Sequence, residues 1–369
     1  MKTQQREVKG RLAKALAERD DAARRLHTAH DALDDPSRTE IDEAIDRVFD
    51  GCVGAFRHAW LDRSRVAAAL EIARTLALRL SLVQNYTVDP TADLRALAGS
   101  LLAVLDAAER EGNLASGETE TAYLRGVLLL HAGDRENARL AFERALGLAT
   151  PETAESIDYG SCLFIAQIAH EEGDWRDSIR FAARAAKLAS STNLVAQALA
   201  IVAVSRYARG DRLRALKKFE DALRYFDRAE PLFNPYFYRN TILFCGIVSF
   251  DMGDFGAAEG YFRRALEVTS ADSYDAFDAH ARLGRALRRQ GREAEAAAEL
   301  ENALTTYHFA ESEPVVDVLF ELGGLHASLG NAARARALLH RVITSEVAHP
   351  GKVEASRILG DPASEPTIG

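Results

Sequence analysis

One spaced pattern recurs along this chain and constrains its fold more than any other feature. A small residue is followed seven positions on by glycine, then by alanine after five, phenylalanine or leucine after four, and alanine-leucine after three. GVLLLHAGDRENARLAFERAL (126–146) carries it as Gly126, Gly133, Ala138, Phe142 and Ala145. The stretch 203–223 repeats it as Ala203, Gly210, Ala215, Phe219 and Ala222. The stretch 246–266 has Gly246, Gly253, Ala258, Phe262 and Ala265, and 284–304 has Gly284, Gly291, Ala296, Leu300 and Ala303. Two weaker copies centre on Gly173 (Ala166, Ser178, Ala182, Ala185) and Gly330 (Gly323, Ala335, Leu339, Val342), making six.

Each position has a physical reason. A small first residue lets two antiparallel helices cross closely, where a larger side chain would push the backbones apart. The central glycine ends the first helix by supplying a left-handed turn. Asp134, Asp174, Asp211 and Asp254 follow it and start a tight turn into the second helix. The alanine and aromatic positions fall at i, i+4 and i+7 on one face of that helix. Ala, Leu, Arg and Glu dominate the composition, and all are strong helix formers. No stretch alternates with the period of a strand, so the predicted fold is all-α.

These residues resemble the tetratricopeptide repeat (TPR) family over roughly 119–345. The resemblance implies a right-handed α-solenoid of helix pairs. The consensus Trp is absent, the usual Tyr is replaced, and a repeat-ending Pro is mostly missing. Successive central glycines lie 40, 37, 43, 38 and 39 residues apart, against about 34 in the family. The units are therefore lengthened.

The family lines its concave groove with the first helix of each pair. Carried over, this implies Tyr123, Val127 and His131 in the first unit, Leu163, Gln167 and His170 in the second, and Val204 and Tyr207 in the third. The fourth contributes Asn240, Leu243, Ile247 and Phe250. Such a groove suits an amphipathic helix or hydrophobic peptide, unless the N-terminal helices fold into it and bury these residues. The fifth unit differs, because Arg282, Arg285, Arg288 and Arg289 share one helical face there, with Asp278 one turn before Arg282. Two readings stand: a grip for an acidic segment of a partner, or a solvated face in a chain with only seven lysines among its 46 basic residues. The Lys/Asn set of a two-carboxylate clamp is missing.

Residues 1–112 lack the motif but read as helical, either as an N-terminal bundle or as degenerate repeats. Val8, Leu12, Ala15, Ala22, Leu26, Ala29 and Leu33 give a heptad-like first helix, suited to packing within the chain or to self-association. Ser37 and Glu40 form a capping box for a helix ending near Trp60. Two more helices follow at about 64–86 and 92–111, and residues 346–369 supply a capping helix and a frayed tail. The aromatic segment 225–238 offers either a partner or self-association surface, or a plug for the longest spacing between units.

Several function classes are disfavoured. Cys52, Cys162 and Cys245 are odd in number and widely spaced, which suits a reducing cytoplasm rather than a disulfide framework. No secretory signal is visible at Met1, and Glu71, Arg74 and Arg79 argue against membrane insertion of 66–83. A net charge of -9 argues against nucleic acid. No metal-ligand, nucleotide-loop or nucleophile motif is present, so neither a cofactor nor enzymatic activity is expected. The expected function is that of a cytoplasmic, bacterial interaction scaffold or adaptor. The alternative is a peptide-responsive signalling regulator, on the architectural similarity of an N-terminal helical bundle ahead of long TPR units.

Overall fold

The computed structural model describes residues 69–70, 72–74, 92–111, 118–148, 157–228, 235–269, 273–306 and 312–360. The heptad-like first helix, the Ser37–Glu40 capping box, the helix ending near Trp60 and the tail 361–369 lie outside them. The described residues form helices without strands, so the all-α expectation holds. They are α1 (Ala92–Arg110), α2 (Glu118–Ala132), α3 (Arg135–Leu148), α4 (Tyr159–Glu171), α5 (Trp175–Leu188), α6 (Thr192–Ala208) and α7 (Arg212–Phe226). Then come α8 (Pro235–Asp251), α9 (Phe255–Glu267), α10 (Tyr274–Arg289), α11 (Glu293–Thr306), α12 (Glu313–Ser328), α13 (Ala332–Thr344) and α14 (Gly351–Leu359). Helices α2 to α13 are the six helix pairs of the repeat. By contact density the chain divides into two compact units, residues 1–238 and 239–369, with the cut inside α8.

All six turns are built alike. The central glycines 133, 173, 210, 253, 291 and 330 have φ between +79° and +89°. The Gly133 N–H donates to the Leu130 carbonyl at 3.0 Å and the Asp134 N–H to that of Leu129 at 2.9 Å. This pair of bonds satisfies carbonyls that the helix end leaves open. The Asp134, Asp174 and Asp254 carboxylates then accept the N–H of Asn137, Asp177 and Ala257 at 3.1, 3.1 and 3.0 Å, capping the second helix. Asp211 instead lies 3.5 Å from both Arg206 and Arg214.

A left-handed turn penalises any side chain. Gly253→Ala is expected to cost about 1–2 kcal/mol. Gly260, helical, exposed and with nothing within 4 Å of an added Cβ, is the control: Gly260→Ala should stabilise by about 0.5–1 kcal/mol. Urea denaturation of the two variants checks the opposite signs.

The crossing of each pair explains the small first residue. A Cβ added at Gly126 would lie 2.6 Å from Phe142 Cε1, and at Gly246 2.5 Å from Phe262 Cε1. At Gly284 it would meet Leu300 Cγ at 2.8 Å, and at Gly323 Leu339 Cδ2 at 2.7 Å. The aromatic or leucine of the second helix therefore sits on bare backbone of the first. In the third pair Ala203 and Phe219 are both buried, and the second pair sets Ala166 and Ala182 in its core, both fully buried.

In the first unit, Ala69, Leu70, Ile72 and Ala73 join Leu101 and Leu105 of α1 in one core with Leu124, Val127 and Leu128 of α2. Arg74 adds a two-pronged ion pair to Glu120, with bonds of 2.7 and 2.9 Å. A second core of that unit joins α4, α5, α6 and α7 and takes in Phe226 and Phe237. Tyr238 packs edge-on against Phe226 at 5.8 Å and donates to Asp227 at 3.1 Å. Of the aromatic segment's described side chains, Phe226 and Phe237 are thus interior, and Tyr225 is exposed. In the second unit one core runs from α9 to Ala355 of α14. Within each unit a pair touches mainly its neighbours, the property that lets such chains lengthen without a larger core.

Candidate functional site

Within each compact unit the first helices of successive pairs lie side by side. In the first unit, Tyr159 of α4 donates to the Leu194 carbonyl of α6 at 3.1 Å, and His170 lies 3.0 Å from Ser205. In the second, Arg239 pairs with Asp275, and Arg285 of α10 reaches Glu321 of α12 at 2.9 Å. Candidate ligand-facing residues therefore line up from helix to helix within each unit.

The residues carried over from the family divide into two groups. Val127 is fully buried and Leu163 is 5% exposed. Both belong to the core of their unit rather than to its exposed surface. Val127 shares its core with Ala69, Leu70, Ile72 and Ala73 and with Leu101 and Leu105 of α1. His131 is buried as well. Tyr123 is only partly exposed, its ring 5.7 Å from Phe142 and 6.3 Å from Phe164. Its hydroxyl would lie 2.8 Å from a Cβ at Gly160, and burial pushes the phenol above its ordinary pKa.

Gln167, Val204 and Tyr207 remain partly exposed in the first unit, as do Asn240, Leu243, Ile247 and Phe250 in the second. Leu243, Ile247 and Phe250 also lean on the core of their unit, Phe250 edge-on to Phe255 at 5.2 Å.

The arginines of α10 are largely committed. Arg282 Nε lies 2.8 and 2.9 Å from the Asp278 carboxylate, and Arg285 Nε 2.9 and 3.1 Å from that of Glu321. Arg292 binds Glu259 at 2.6 Å and Glu295 at 2.5 Å. Burial alone would raise the Glu259 pKa, but hydrogen bonds from Gln290, Arg263 and Arg292 hold it below the usual range. Arg289 stacks over the Phe255 ring at 4.9 Å, and Arg288 is exposed. An acidic partner on this face would compete with carboxylates already in place at Arg282 and Arg285.

A polar chain not foreseen from the sequence ties three helices of the first unit. Ser178 Oγ donates to the Ala166 carbonyl at 2.7 Å and lies 2.8 Å from Ser205 Oγ, which lies 3.0 Å from His170 Nδ1. A carbonyl only accepts, so the Ser178 proton points there and Ser178 must accept from Ser205. Ser205 in turn must accept from His170, which therefore carries its proton on Nδ1. Burial lowers the His170 pKa. The sequence signal was slight: Ser178 stands where the stronger copies have alanine.

Among the described residues no three His, Cys, Asp or Glu side chains gather as a metal site would require. Cys162 and Cys245 are buried thiols, and burial pushes that of Cys162 up to about 11, away from nucleophilic thiolate. No described helix is long and apolar enough to cross a membrane.

Six tightly crossed helix pairs with a left-handed glycine in each turn define a helical-repeat protein, and the fold is that of the tetratricopeptide-repeat proteins. No family profile matches the chain, and no curated protein matches it either. Among solved structures it resembles the apo form of RapI, with a TM-score of 0.61 at 12% identity, over 91% of this chain and 86% of that one. It also resembles the C-terminal part of a TPR repeat-containing protein from Cytophaga hutchinsonii, with a TM-score of 0.56 at 12% identity, over 78% of this chain and 98% of that one. YrrB, described as a TPR protein with an unusual peptide-binding site, aligns with 59% of this chain and 98% of its own at 20% identity and a TM-score of 0.44.

Proposed function

We propose that this chain is an interaction scaffold whose first helices hold a partner's peptide or helix. The observation that carries the reading is the side-by-side placement of those helices with partly exposed residues at successive positions. Gln167, Val204 and Tyr207 supply this in the first unit, and Asn240, Leu243, Ile247 and Phe250 in the second. Mixed apolar and amide side chains suit a segment that brings both side-chain and backbone contacts.

Site-specific photo-crosslinking in cells tests this. A photoreactive residue at 204, 207, 247 or 250 is expected to trap a partner, and one at Leu213, 69% exposed on α7, is not. Equal yields from Leu213, or no adduct from the four positions, would refute the scaffold reading. An adduct of peptide rather than protein size would favour the peptide-responsive regulator.

A further inference from the structure

A second surface of the first unit has the opposite charge to the chain as a whole. Helices α5 and α7, the second helices of neighbouring pairs, both pack on α6 and leave a cleft of about 500 Å³ between them. Val195 and Leu199 of α6, with Ala186 and the Tyr225 ring, give it an apolar base. Lys187, Lys218, Arg224 and Arg228 stand around it against one carboxylate, Asp221.

Asp221 is already shared. It binds Lys218 at 2.6 Å and also pairs with Arg224. Burial alone would raise its pKa, but these two cations hold it below the usual range, so it stays charged. Lys187 and Arg228 form no ion pair among the described residues, and both are exposed. Lys187 and Lys218 are two of only seven lysines in a protein of net charge -9. Exposed cations without an ion pair beside an apolar base leave room for carboxylates that the paired Arg282 and Arg285 of α10 do not.

We propose that this cleft binds an acidic peptide segment that inserts one apolar side chain between α5 and α7 and lays carboxylates on Lys187 and Arg228. At about 500 Å³ the cleft is half open to solvent and has room for one side chain. The cluster is compact and its base apolar, whereas a nucleic acid needs a long basic track and would meet repulsion from the rest of this chain. The surface lies on the second helices, so the inference does not rest on the scaffold reading of the first helices.

Fluorescence anisotropy on the full chain tests it, with a labelled peptide of glutamates interrupted by a single phenylalanine. Saturable binding is expected, weakened about tenfold by Lys187→Glu with Arg228→Glu, weakened again when the phenylalanine is replaced by glycine, and reduced by added salt. Both replaced side chains are exposed, so an unchanged melting temperature confirms that the variant is folded. Absence of saturable binding overturns the proposal. So does equal affinity for the double variant, or for the glycine peptide, since either outcome leaves only diffuse attraction to surface charge.

Discussion

Replacing Phe262 by alanine is expected to lower the unfolding free energy by about 3–5 kcal/mol. Its ring is 1% exposed and lies on the backbone of Gly246, so nothing flexible stands ready to fill the space left behind. Urea denaturation measures the loss, and hydrogen exchange of α8 and α9 amides locates it. A second variant separates this contact from ordinary core burial. Gly246→Ala alone should cost about 1–3 kcal/mol, because the new methyl lands within 3.0 Å of three ring atoms. In the Phe262→Ala background the same methyl enters an empty site, and the helix propensity gained on losing glycine, about 1 kcal/mol, should make it stabilising. A change of sign between the two backgrounds is the signature of the close crossing. If Gly246→Ala costs the same in both, the small-residue position is not set by the ring opposite.

That crossing was legible in the sequence because it uses residues with few alternatives. Glycine at φ near +80°, and a bare backbone under an aromatic ring, leave a spaced record that survives in Gly126/Phe142 and Gly246/Phe262 alike. The second pair was harder to see, since Ala182 stands where the stronger copies have an aromatic or leucine and Ser178 replaces the usual alanine. The longest spacing, from Gly210 to Gly253, holds extra aromatics, and the fold uses Phe226 and Phe237 to fill its own core.

The candidate site was less legible, for a reason of distance along the chain. Helical periodicity shows which residues share a face, and it placed Arg282 beside Asp278 correctly, four positions apart. It carries no record of what stands opposite. Arg285 finds Glu321 thirty-six residues away, and Arg292 finds Glu259 thirty-three away. Family register puts Val127 in a groove, yet it shares a core with Ile72 and Leu101, which lie outside any copy of the motif. The cluster at Lys187, Lys218 and Arg228 left no local signal because it draws on α5, α7 and the turn after α7, none basic enough alone to stand out.

Ser178→Ala is expected to cost about 1–3 kcal/mol, more than the loss of one small exposed hydroxyl would. Ser178 and Ser205 are both fully buried, so without Ser178 the Ser205 proton loses its acceptor at 2.8 Å. The nearest remedy is for Ser205 to turn that proton toward His170. The ring must then accept at Nδ1 and carry its proton on Nε2. Nitrogen chemical shifts of His170 should therefore report the Nδ1–H tautomer in the unaltered protein and a shift toward Nε2–H in the variant. A purely packing role for Ser178 would change stability and leave the tautomer alone. The same residue predicts a pH dependence. Burial lowers the folded His170 pKa below its ordinary value of about 6.5, so on acidification the unfolded chain takes up the proton first. Stability from this group is complete above that value and falls as pH drops through it toward the folded pKa. His170→Gln removes the titration, and the difference between its acid-side slope in urea denaturation and that of the unaltered chain measures it. No difference between pH 7 and 5 would mean that the ring is not held in its buried, neutral form.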